Sequence, residues 1–151
     1  MKKILSVILC VCLLGCAAAF AEEEDELNEH SFLLKVRDRS GLEITYLRFD
    51  FYAGDEYRGM VCSCPDEGED FYRCPAAFET AEGREGVRIE VSYGVSDLAP
   101  EDAILEVMKG NPAEEHALTV IDPLPEGGAE YSLDLVPDGA EGWQLVPAEA
   151  A

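Results

Sequence analysis

The chain has 151 residues, with 11 Lys and Arg against 32 Asp and Glu, a net charge of −21 and 48% apolar side chains. One hydrophobic core suits that length and composition; two independent domains or a wholly disordered chain do not. The acidity argues against docking on nucleic acid or anionic lipid, since both need clustered Lys and Arg.

In chain order, Met1-Lys2-Lys3 is a short basic start, Ile4 to Gly15 is almost unbroken apolar sequence, and Ala19-Phe20-Ala21 precedes Glu22. This is the layout of a secretory signal peptide over residues 1–21. The apolar run falls short of the ~20 residues that span a bilayer, so no membrane span is expected. Leu13-Leu14-Gly15-Cys16 resembles a bacterial lipobox. The alternative is therefore a lipoprotein signal over 1–15 with Cys16 lipidated, the one route to a membrane anchor. Cleavage before Glu22 removes Lys2 and Lys3 and no acid, so −21 becomes −23. Residues 22–30 read as a flexible acidic leader, 31–147 as a single domain and 148–151 as a tail. Secreted or extracytoplasmic residence at a bacterial envelope follows, and such a compartment permits disulfides.

From residue 32 onward the apolar pattern has period two, the mark of half-buried strands. Phe32, Leu34 and Val36 share a face, and Asp38 to Gly41 turns the chain. Leu42 to Tyr52 reads as one long strand whose phase slips near Tyr46–Leu47, which predicts a β-bulge there. Arg48, Asp50 and Tyr52 alternate opposite Leu47, Phe49 and Phe51. Tyr52, with Tyr57 across the Gly54 turn, is thus a candidate pair of exposed binding aromatics. Met60, Cys62 and Cys64 share a face of the next strand.

Asp66, Glu67, Glu69 and Asp70 surround Gly68, and this loop is the candidate for a weak calcium site, although the spacing is not that of an EF-hand. The loop also sets the cysteine register. If it opens around Gly68, Cys62 faces Cys74, the favoured disulfide; if its centre shifts to Glu69, Cys64 faces Cys74. A tight turn at Pro65–Gly68 leaves all three unbridged. Thr80 to Gly86 reads as a loop, and Val87, Ile89, Val91 and Tyr93 as a strand. Pro100 opens and Gly110 and Pro112 close a short helix over 100–109, with a strand as its alternative. Strands follow at 116–121, 131–136 and 143–146, the last two joined by a hairpin-like connection.

About eight short strands and one helix, without βαβ alternation, predict a mainly β protein, an antiparallel β-sandwich. This resembles the immunoglobulin-like modules of secreted proteins in architecture alone, because the single Trp143 follows every cysteine. His30 and His116 are the only histidines, and the nucleophile-elbow, zincin and nucleotide-loop motifs are missing. The expected function is a non-enzymatic binding or scaffold module, with an unidentified protein or glycan as partner and no cofactor beyond the calcium candidate. The alternative is a small extracytoplasmic hydrolase using paired carboxylates.

Overall fold

The structure is a computed structural model, and it describes residues 9–12 (backbone only), 27, 29–139 and 142–148. The lipidation candidate Cys16, most of the acidic leader and the last three residues lie outside the described residues. So does the signal segment, apart from residues 9–12.

Strands β1 (Leu9–Cys12), β2 (Phe32–Asp38), β3 (Tyr46–Ala53), β4 (Glu56–Ser63) and β5 (Phe71–Ala76) come first in the chain. Helix α1 (Ala81–Arg84), β6 (Val87–Val95), α2 (Pro100–Met108), β7 (Glu114–Ile121), β8 (Ala129–Pro137) and β9 (Trp143–Pro147) follow. They form a β-sandwich of two sheets, one ordered β1-β4-β3-β6-β7 and the other β5-β2-β8-β9. Pairing is antiparallel apart from β2 with β8, which run parallel from Phe32↔Ala129 to Asp38↔Leu135.

Period-two sequence becomes a packed interior in the way the pleat requires. Phe32, Leu34 and Val36 of β2 meet Leu47, Phe49 and Phe51 of β3, with Val61, Cys74, Ile89, Val91 and Leu135 filling between the sheets. Each fully buried side chain of this kind contributes about 1.5–3 kcal/mol. The helix α2 lies on the opposite face of the five-stranded sheet. There Ala103, Ile104 and Val107 pack on Tyr46, Met60 and Cys62 in a second, smaller cluster. Pro100 starts α2, acids occupy its first turn, and Gly110 at φ 84 ends it.

The second strand differs from its sequence reading. It begins at Tyr46, and Leu42 to Thr45 is irregular, with Leu42 and Ile44 packed against the core. Tyr46 and Leu47 are both fully buried because the strand is covered on both faces: Leu47 enters the sandwich and Tyr46 goes under α2. No slip is needed to explain them. The register shift falls instead between Phe51 and Tyr52, against β4. Residues 81–84, read as loop, form one helical turn with the Thr80 hydroxyl accepting from the Gly83 amide at 3.1 Å.

The connection from β4 to β5 is not a hairpin. A turn closes it, with the Glu69 amide donating to the Asp66 carbonyl at 2.9 Å, but β4 pairs with β3 and β5 pairs with β2. The chain thus crosses from one sheet to the other. Cys62 sits under α2, whereas Cys74 faces the sandwich interior. Cys62 and Cys64 are free thiols, so neither Cys62–Cys74 nor Cys64–Cys74 is formed. The register that would pair them requires adjacent strands, and these two strands belong to different sheets.

Candidate functional site

The outer face of the five-stranded sheet, next to α2, carries the densest polar arrangement. Alternation along β3 puts Tyr46, Arg48, Asp50 and Tyr52 on that face, and β6 and β7 contribute Arg88, Glu90 and Glu115. Arg48 is the hinge of the group. Its Nε lies 2.9 Å from Asp50 Oδ2 and its Nη1 3.2 Å from Glu115 Oε2, and the Tyr46 hydroxyl donates to Glu115 Oε1 at 2.7 Å. One guanidinium thus holds two carboxylates, and a fully buried tyrosine satisfies part of the second.

These groups are half-buried, and their proton affinities move accordingly. Burial raises Asp50 above the usual carboxylate value, with Arg48 opposing the shift. Burial alone lowers Arg48, but Asp50 and Glu115 outweigh it and the guanidinium is held charged. Tyr57 is pushed up to about 12 by burial and then by the Asp50 charge. Cys62 lies directly across from Arg48 in the ladder, and burial takes its thiol up to about 12. At neutral pH it is a packed thiol and not a thiolate nucleophile.

Toward the β3–β4 turn the network opens into an aromatic surface. Tyr52 and Tyr57 meet edge to face with ring centroids 5.5 Å apart, and the Arg88 guanidinium lies 4.9 Å from the Tyr52 centroid. Arg88 is fixed by Glu90 at 2.9 Å and by the Gly54 carbonyl. Tyr57 is 37% exposed, so its ring is presented to solvent while its partners hold the surface in shape. The two tyrosines singled out in the sequence are therefore brought together. Arg48, Asp50, Arg88 and Glu115 belong to no recognisable motif, although the alternation of Arg48 and Asp50 with Leu47, Phe49 and Phe51 is visible in the sequence. What the sequence lacks is any sign that β7 places Glu115 near Arg48.

The remaining candidates are placed elsewhere. Glu67, Glu69 and Asp70 are exposed and Asp66 half-buried, and Glu69 is engaged by Arg73 at 2.7 Å. Among the described residues, no three His, Cys, Asp or Glu side chains converge on a possible metal position. His116 stacks on Tyr93 at 5.1 Å and pairs with Glu114 at 3.1 Å, and His30 lies by Glu29 at 3.3 Å. Neither histidine is placed against the Arg48 network. A shallow 450 Å³ cavity lined by Arg84, Val87, Pro123 and Leu124 lies by α1. No protein-family model, no curated protein and no solved structure matches this chain.

Proposed function

We propose that the protein is an exported, non-enzymatic β-sandwich module of the bacterial cell envelope that binds a protein or glycan on the outer face of its five-stranded sheet. The observation that supports this most is the Tyr52–Tyr57 pair, with Arg88 over one ring, beside a salt-bridged network centred on Arg48. Rings offer an apolar platform at small entropic cost, and fixed Arg and Glu groups flank it with oriented donors and acceptors. Carboxylates already committed to Arg48 suit recognition better than proton transfer. The basic–apolar–small order of residues 1–21 supports export, with cleavage before Glu22 or lipidation of Cys16.

Glycan and peptide arrays, read beside a generic hydrolase panel, test the reading. Wild-type protein is expected to retain a ligand that Tyr57→Ala binds about tenfold more weakly, as removal of a central aromatic anchor does. Turnover lost on Asp50→Asn or Glu115→Gln would replace the reading with the carboxylate hydrolase. Intact-mass analysis of exported protein is expected to start at Glu22, and a diacylglyceryl mass on Cys16 would show the lipoprotein route.

A further inference from the structure

Of the four outermost strands, β1, β5, β7 and β9, the last three carry their own protection against adding a neighbour, and β1 covers the strand that has none. β5 holds Arg73 and Pro75, β7 holds Glu114, Glu115 and His116, and β9 ends in Pro147. Charges and prolines of this kind are how sheets discourage edge pairing. β4 is different. Its stretch Gly59-Met60-Val61-Cys62-Ser63 has neither charge nor proline, and all five residues are buried. What covers its edge is β1, paired antiparallel from Leu9↔Cys62 to Cys12↔Gly59. That strand falls inside the segment read as a cleaved signal.

We propose that β4 is a strand-accepting edge: once residues 1–21 are removed, it binds an extended apolar segment of a partner polypeptide by antiparallel β-augmentation. This rests on the export reading, because cleavage is what vacates the edge. The chemistry of the occupant follows from the surroundings. Apolar residues suit a row whose alternate positions flank Met60 and Cys62 beside α2 and Val61 beside the sandwich core. An antiparallel newcomer enters from the Cys62 end, past which the chain carries Asp66, Glu67, Glu69 and Asp70. Its N-terminal flank is therefore basic, as Lys2 and Lys3 are ahead of β1. A second copy of this chain fits poorly. Antiparallel β4–β4 pairing sets each acidic loop toward the other copy's Asp55 and Glu56, between two bodies that would each carry −23 after cleavage.

The test uses the full chain and its Cys10→Pro/Val11→Pro variant; successive N–H groups of a strand point to opposite sides, so one of the two prolines faces β4, and β1 cannot continue the ladder. The probe is a labelled peptide copying residues 2–13 with Cys10→Ser and Cys12→Ser, followed by fluorescence anisotropy. The variant is expected to bind the peptide at least about tenfold more tightly than the wild-type chain, whose edge is occupied. Two further peptides, N-methylated at the odd or at the even positions, separate backbone pairing from greasy contact. One is expected to lose about tenfold or more and the other to bind as before. Replacing both lysines of the peptide with Glu is expected to weaken binding and to steepen it against salt in the opposite sense. No binding to the variant, or equal loss from both methylated peptides, overturns the proposal. So does a double-proline variant that dimerises in sedimentation instead of binding peptide. Mature protein whose mass still begins at Met1 would overturn the cleavage on which the proposal rests, whereas a failed peptide test with a mass that begins at Glu22 would overturn the strand-accepting edge alone.

Discussion

Tyr46 fits beneath α2 because its cross-strand neighbour is Gly94, and a Cβ at that position would run into the phenol ring. Gly94→Ala is therefore expected to cost about 1–3 kcal/mol through overpacking, measured by urea unfolding. Tyr46→Leu in the same chain is expected to return part of that loss. The thiols give a second test. Burial raises Cys62 to about 12 and Cys64 to about 11, from an ordinary 9.0. At pH 8 both are protonated in the folded protein, so iodoacetamide is expected to label them far more slowly than in urea. The linkage has a definite sign: unfolded thiols lose protons first, so this contribution is complete below 9.0 and disappears as pH rises through 11 to 12. Urea midpoints are expected to fall across that window, less steeply in Cys62→Ala. At the acid end Asp134 behaves oppositely. The Arg37 hydrogen bonds hold its carboxyl below its ordinary 3.8, so its stabilisation is present above 3.8 and lost as pH falls further. Asp134→Asn is expected to flatten that acid limb of the midpoint–pH curve.

Helix α2 turns one face of a sheet into a second interior. Ile104→Ala is expected to cost about 2–5 kcal/mol by denaturant titration, as for other buried aliphatic truncations. Leu105 is 45% exposed on the same helix, and Leu105→Ala should stay within about 0.5 kcal/mol. This helix also marks the boundary of what could be read in advance. Its own ends were legible, since Pro100, Glu101, Asp102 and Gly110 are local signals that need no tertiary context. Its docking site was not. Covering β3 on both sides buries Tyr46 and Leu47 together, and a one-dimensional pattern renders that as a slipped strand. The same limit explains the cysteines. Residues 64–70 look like a hairpin because a turn with Gly68 at φ 83 is there. Whether the chain then returns beside β4 or crosses to β2 depends on β2 competing for β5, which alternation in β5 cannot express. Tyr52 and Tyr57 are legible in the sequence because a short turn at Gly54 makes them neighbours. Arg48 and Glu115, 67 residues apart, carry no such local mark.

At the scale of the whole chain, acids outnumber bases 32 to 11, so most carboxylates cannot have a cation of their own. The fold spends its few cations on pairing: Lys35 with Glu130, Arg37 and Arg39 with Asp134, Arg73 with Glu69 and Lys109 with Glu106. The surplus repels itself over a Debye length of about 10 Å at 0.1 M salt, so the melting temperature is expected to rise when NaCl is added to a low-salt buffer. A larger rise with micromolar Ca²⁺ at matched ionic strength, lost in Asp66→Asn, would place a bound ion at the Asp66 to Asp70 loop. The parallel pairing of β2 with β8 has a further consequence, in the order of events by which the molecule is made. Arg37 and Asp134, neighbours in that ladder, are 97 residues apart. The ribosome delivers β2 long before its central partner, and the β3–β4 hairpin can form in between because its turn is short. The four-stranded sheet, by contrast, cannot be assembled until β8 is released. Newly made chain therefore keeps Phe32, Leu34 and Val36 without their β8 neighbours through most of synthesis. A nascent chain stalled before residue 129 is expected to be cut readily within β2 by limited proteolysis, and one extended past β9 to resist.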